Sequence, residues 1–293
     1  MRLSKAIGIC IYLVLFVCVL MTVVTTATVI FLMGKESFQF FQEVSVLDFF
    51  FDLQWAPLLE PKSFGVLPLV FGTLKIVVGS ALIALPAGLM VAIYLSEYAS
   101  ERLRSVIKPI LEILAGIPTV VYGYFALTFI TPILKFIHPE TQIFNGAAGA
   151  IVVGIMILPM ISSLCDDAFR AVPSAIREGG YALGASTFEV ISQVLVPASL
   201  SRIGAATVLA ISRAIGETMA VTLASGASPN LALNPFESLQ TMTAYIVQVS
   251  LGDTPQGGIE YLSAFAVGTL LFIMTLVMNV IGNHLIFSTR ERL

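Results

Sequence analysis

Long apolar runs alternate with shorter polar segments along this chain. Residues 7–33 carry no charge and are flanked by Lys5 and Lys35. Five more runs follow, at 66–95, 106–134, 147–164, 203–223 and 261–287. At ~1.5 Å per helical residue, runs of this length match the ~30 Å hydrocarbon core of a bilayer. A β-barrel would show short alternating segments instead, and none is present. The pattern predicts an all-α polytopic membrane protein with six transmembrane helices in a single domain over 1–293. The first run exceeds the roughly 7–15-residue apolar core of a signal peptide, so it is expected to be retained.

Composition agrees. The chain is 57% hydrophobic and 11% charged, with a mean hydropathy of +0.96, whereas soluble domains are about 25% charged. A net charge of -3 gives no basic footprint for nucleic acid. Cys10, Cys18 and Cys165 form neither a disulfide framework nor a metal spacing.

Lysine and arginine placement sets the expected orientation. With the N-terminus in the cytoplasm, the inner segments hold Arg2 and Lys5; Arg102, Arg104 and Lys108; Arg170, Arg177 and Arg202; Arg290 and Arg292. The outer loops hold only Lys35, Lys62 and Lys135. This predicts an N-in, C-in protein of the cell membrane. The first outer loop, with Phe49 to Phe51 and Trp55, reads as an amphipathic segment anchored at the interface. The segment 225–260 contains no lysine or arginine and reads as turns around a short helix.

Pro68, Pro86, Pro118, Pro132 and Pro159 lie in or near the apolar runs, where each removes a helical hydrogen bond and can bend the helix. The small-residue cluster 146–150 permits close helix approach. The polar segment 165–200 carries more information. Ser174 is placed to cap a short helix running through Leu183. Gly184 stands where a helix end favours a left-handed residue. Ser186 and Glu189 have capping-box spacing, which starts a second helix at once. Pro197 ends or bends that second helix. The segment is either a docking surface or an ordinary, well-capped loop.

Glu178-Gly179-Gly180, three residues, Gly184, nine residues, then Val194-Leu195-Val196-Pro197 resembles the EAA motif of ABC importer permeases. That motif reads Glu-Ala-Ala, three residues, Gly, nine residues, Ile, one residue, Leu-Pro. Gly179, Gly180, Val194 and Val196 are the departures. Downstream, the stretch from Ser212 through Arg213, Gly216, Glu217 and Thr218 to Val221 is similar to the phosphate importer permeases of the Pst type. Met219 after Gly-Glu-Thr is more like the PstC-type than the PstA-type subunit. The segments 72–74, 85–88, 116–123 and 241–244 extend the likeness over most of the chain beyond about residue 65. The resemblance implies a type I ABC importer permease fold and a phosphate-import function. It also implies a coupling loop that enters a groove on a separate ATPase. The partners it implies are a second, PstA-like permease subunit, a PstB-like ATPase dimer and a PstS-like extracytoplasmic phosphate-binding protein. The ATPase-coupling residues it implies are Glu178, Gly179, Gly180, Gly184 and Pro197. The remaining alternatives are a permease for another oxyanion and a self-sufficient, proton-coupled secondary anion transporter.

Three ionisable residues inside the runs are candidates for an anion pathway. Arg213 and Glu217 stand four apart and share a face if the helix is continuous. A guanidinium fork suits a tetrahedral oxyanion. Glu217 either orients Arg213 or accepts a proton, and a purely structural pair is the other possibility. Lys75 lies about nine residues, or roughly 13 Å, into its run, and faces either a pathway or a packed interior. Lys108 and Glu112 have the spacing of an i,i+4 ion pair. His138 and His284 are lone histidines near the ends of runs. No nucleophile–base set, metal cluster or phosphate-cradling loop appears, so no cofactor or enzymatic activity is expected and any ATP hydrolysis belongs to a partner.

Overall fold

The computed structural model describes residues 2–252 and 254–290. Helix α1 spans Arg2–Glu43. The short helix α2 (Val46–Phe51) is capped by Ser45, whose side chain accepts from the Leu47 amide. A small antiparallel pair follows, β1 (Trp55–Ala56) with β2 (Ser63–Phe64). Helix α3 (Leu67–Ile93) opens with Pro68 in its first turn and leads into a π-helical turn, Tyr94–Tyr98. Next come α4 (Glu101–Ala115), α5 (Thr119–Phe125), a π turn at Ala126–Ile130 and α6 (Thr131–Ile137). Helix α7 (Gly146–Arg170) is capped by Asn145, which accepts from the Ala148 amide at 2.7 Å. The rest comprises α8 (Ser174–Ala182), α9 (Thr187–Val190), a π turn at Ile191–Leu195, α10 (Val196–Ile215), α11 (Met219–Ser225), α12 (Met242–Leu251) and α13 (Ile259–Arg290).

Among the described residues, six helices are long and apolar enough to cross a membrane: Ile11–Glu43, Leu67–Tyr98, Thr119–Ile137, Gly146–Arg170, Thr187–Ile215 and Ile259–Gly282. Two depart from the sequence expectation. The run 106–134 is split, because Gly116 caps α4 and Pro118, which has no N–H, begins a new helix. The crossing helix is therefore 119–137, and α4 is a separate amphipathic helix laid against α7. Nor does Pro197 end a helix. Thr187–Ile215 is continuous, and the π turn before Pro197 takes up the proline, with the Val196 amide donating to the Ile191 carbonyl. Pro132 is accommodated likewise, with the Thr131 amide donating to the Ala126 carbonyl. A wide turn makes room for the ring and leaves its orphaned carbonyl in the bundle.

α3 and α7 form the centre of the bundle. They meet so closely that a Cβ on Gly79 would lie 2.8 Å from the Ala150 Cβ, and one on Gly88 2.7 Å from the Ile161 Cγ2. The main apolar cluster gathers around them, with Ile76, Ile157, Leu195 and Ala210 fully buried. A second cluster sits at the end of the bundle opposite Arg104 and Arg177. It corrects the expectation for Trp55. That residue is 5% exposed, its ring meets Tyr245 edge-on at 4.7 Å, and Phe49 and Phe64 flank it. The chain folds α2 and the β pair back over α12 and α13, so Trp55 and Phe49 fill a core instead of anchoring at an interface, while Phe50 and Phe51 stay exposed. Lys62 ties this cap to Glu260 at 2.6 Å. The Ser63 hydroxyl, at 2.7 Å, holds the Asp52 carboxyl below the usual carboxylate range.

Trp55→Ala is expected to destabilise this cap by about 3–5 kcal/mol, the cost of emptying a large buried aromatic site. A lowered thermal midpoint of the protein in detergent would register it.

Candidate functional site

The polar turn is built from local chemistry. Gly184 has φ +82 and no neighbour within 4 Å of where a Cβ would stand, so the backbone conformation itself calls for glycine. The capping box is complete: the Ser186 amide donates to Glu189 Oε2 at 2.7 Å, and the Glu189 amide to Ser186 Oγ at 3.3 Å. Ser174 is not a cap. It is the first helical residue after Pro173, which offers no side-chain acceptor. None of α8 is buried, Glu178 and Gly179 are exposed, and Leu183 and Phe188 are 92% and 71% exposed. Gly180 faces α9, where a Cβ would lie 3.1 Å from the Val190 Cγ2. Arg177 moors α8 to the bundle, donating to the Phe169 carbonyl at 2.6 Å and lying 3.4 Å from Glu97 Oε1. Pro197 is remote from the turn, in the membrane-length helix.

Beside the turn lies an ion-pair network that the sequence reading missed. Arg104 Nη2 meets Asp166 Oδ2 at 2.6 Å, with Asp166 fully buried. Lys108 pairs with Asp167 at 3.1 Å and Asp166 at 3.6 Å, not with Glu112. Arg170 reaches Glu101 at 3.2 Å. The available signal was the acidic pair Asp166-Asp167 at the end of an apolar run, with Arg102, Arg104 and Lys108 in the preceding basic segment. A charged pair brought out of water needs close geometry to offset desolvation, and the Arg104–Asp166 contact has it.

The anion-pathway candidates separate. α10 ends at Ile215, and Gly216 caps it, so Arg213 and Glu217 do not share a helical face and form no ion pair among the described residues. Glu217 is buried. Its Oε1 accepts from the Ala220 amide at 3.2 Å, holding the first turn of α11, and its carbonyl accepts from Thr243 Oγ1 at 2.8 Å. Lys75 donates to the carbonyls of Ala232 (2.6 Å) and Asn234 (3.3 Å), which ties α3 to the segment before α12. Both contacts are to backbone carbonyls, and its side chain is half-buried. Arg213 alone faces open space. It is exposed, and lines a cavity of about 420 Å³ with Lys108, Glu112, Asp166, Met156 and Met160. Met156 and Met160 lie near the middle of α7, so the guanidinium stands roughly halfway through the bundle. His138 stacks on Phe236 at 4.5 Å, and no metal-binding group of His, Cys, Asp or Glu occurs among the described residues.

Six membrane-length helices, an exposed capped turn at one end and a cavity reaching toward that end are, together with the relatives that follow, those of a multi-pass permease subunit of the type I ABC importer class, a transport component. The same fold occurs in a chain of a bacterial alginate ABC transporter, with TM-score 0.64 and 18% identity over 92% of this chain and 93% of that one. A chain of the inward-facing MetNI methionine ABC transporter matches with TM-score 0.60 and 18% identity, over 76% and 95%. The chain belongs to the family described as binding-protein-dependent transport system inner membrane component, whose pattern matches residues 84–291. It is 34% identical to the probable ABC transporter permease protein YqgH of Bacillus subtilis, over 94% of this chain and 89% of that protein. It is 33% identical to the phosphate transport system permease protein PstC of Mesorhizobium japonicum, over 81% and 77%. It is 32% identical to PstC of Xylella fastidiosa, over 94% and 88%.

Gly184→Ala is expected to strain the turn by about 1–2 kcal/mol. Amides of residues 174–190 would then exchange hydrogen faster, by roughly 5–30-fold, while the bundle core stays protected.

Proposed function

We propose that this chain is the PstC-type permease subunit of an ATP-driven importer of inorganic phosphate. Its turn docks on a separate, PstB-like ATPase dimer. The pathway is shared with a second, PstA-like permease subunit, and phosphate arrives from a PstS-like extracytoplasmic binding protein. The observation that carries the substrate is the similarity to PstC proteins at 32–33% identity over most of the chain. Arg213 supports it, since a guanidinium facing a cavity at mid-bundle can donate two hydrogen bonds to one oxyanion. The concentration of lysine and arginine at the turn end supports a cytoplasmic position for that end and for both termini.

In this scheme Glu178 and the exposed face of α8 contact the ATPase. Gly179 and Gly180 keep that helix slim, Gly184 sets the turn, and Pro197 stays in the shaft that follows. Arg213 contacts the anion. Glu217 fixes where the Arg213 helix stops and the next begins. The proton-coupled secondary transporter relied on Arg213 and Glu217 acting on one face, and the helix end at Gly216 removes that support.

The test uses the assembled complex in vesicles. Glu178→Lys is expected to lose co-purification with the ATPase. Arg213→Ala is expected to keep the complex intact but reduce phosphate uptake about 100-fold, as for removal of one partner from a buried charged contact. Arg213→Lys keeps the charge and loses the fork. Wild-type uptake by that variant would contradict fork recognition of the anion.

A further inference from the structure

The 420 Å³ cavity has a neighbour. A second pocket of about 370 Å³ lies against it at the surface of the turn end, lined by Glu101, Arg104, Ser105, Lys108, Pro109 and Glu112. Lys108 and Glu112 line both, so they stand at the boundary between the interior space and the surface. The cations here differ in freedom. Arg104 is buried and held at 2.6 Å by Asp166, so it is fixed. Asp166 already has that partner, and Lys108 sits farther from the same oxygen, at 3.6 Å. The other contact of Lys108 is Asp167, which is 60% exposed, and solvent-exposed pairs of this kind hold weakly. A lysine ammonium on a flexible stem can leave such a pair at little cost, and most of the cavity wall is apolar, where a free cation acts strongly on an anion.

We infer that Lys108 is a second anion-contact residue, taking the oxyanion from Arg213 and releasing it at the turn end. This rests on the importer function proposed above. Arg213 lies deep and Lys108 at the exit, and each has the charge and the latitude to meet the same ligand in turn. Glu112 beside Lys108 repels the anion, which favours departure over retention. Two successive weak sites suit conduction better than one tight site, because an ion must leave as readily as it enters.

The alternative is a latch, in which Lys108 only holds α4 to α7 through Asp167. Phosphate uptake by the reconstituted complex separates the two when Lys108→Gln, Lys108→Arg and Asp167→Asn are compared with wild type. A pathway role gives a loss of about tenfold or more in Lys108→Gln, the size of one hydrogen bond to a charged group. Lys108→Arg then keeps most of the rate, and Asp167→Asn, which frees the ammonium, leaves uptake at or above wild type. Equal losses in Lys108→Gln and Asp167→Asn would show a latch and overturn the inference, as would unimpaired uptake by Lys108→Gln. A wild-type complex that moves no phosphate removes the importer assignment itself, and this inference with it. Wild-type uptake with an unaffected Lys108→Gln removes the inference alone.

Discussion

A guanidinium halfway through an apolar bundle constrains everything near it. In lipid a charge at that depth costs about 2.5 kcal/mol or more, unless water, a counter-charge or an oriented dipole meets it. Arg213 receives no carboxylate partner among the described residues. It has instead the carbonyl end of α10, which stops two residues later, and a cavity that it shares with Lys108 and Asp166. The negative pole of a helix dipole favours a cation there. The break at Gly216 is thus part of the arrangement, and Glu217, Thr243 and the short helix α11 hold the chain in its broken course. A discontinuous helix at mid-bundle is tolerated where it is buried in protein or lines a cavity, and both conditions hold here.

The same helix links that site to the exposed turn. From Thr187, next to the capping box, to Ile215, beside Arg213, the shaft runs without interruption for 29 residues, roughly 43 Å. A force on α8 therefore passes along one rod to the cavity wall. Arg177 adds a second connection, through Glu97 to the π turn at the end of α3. The Arg104–Asp166 pair clamps α4 to α7 alongside the shaft. The exposed turn and the cavity wall are joined through side chains and backbone that the structure places in contact.

Local chemistry made much of this readable in advance. The turn at Gly184 and the box at Ser186 and Glu189 depend on residues within five positions of one another, so their spacing alone defined them. Six spans followed from apolar length. What escaped depended on distance or on small breaks inside apolar runs. Gly116 and Pro118 are ordinary stop signals, but the hydrophobicity on both sides masked them. Gly216 broke the face assumed for Arg213 and Glu217 in the same way. Asp166 finds Arg104 across 62 residues, and Trp55 finds Tyr245 across a far longer stretch of chain. No periodicity encodes either meeting. Lys75 was readable as deep but not as occupied, because its partners are two backbone carbonyls with no signature in the sequence.

The most direct test is phosphate accumulation by sealed vesicles containing this chain with its permease, ATPase and binding-protein partners, measured with and without ATP and with an imposed proton gradient. Accumulation that requires ATP and the ATPase subunit, and ignores the proton gradient, is the expected result. Uptake that persists without any ATPase and follows the proton gradient would contradict the importer assignment.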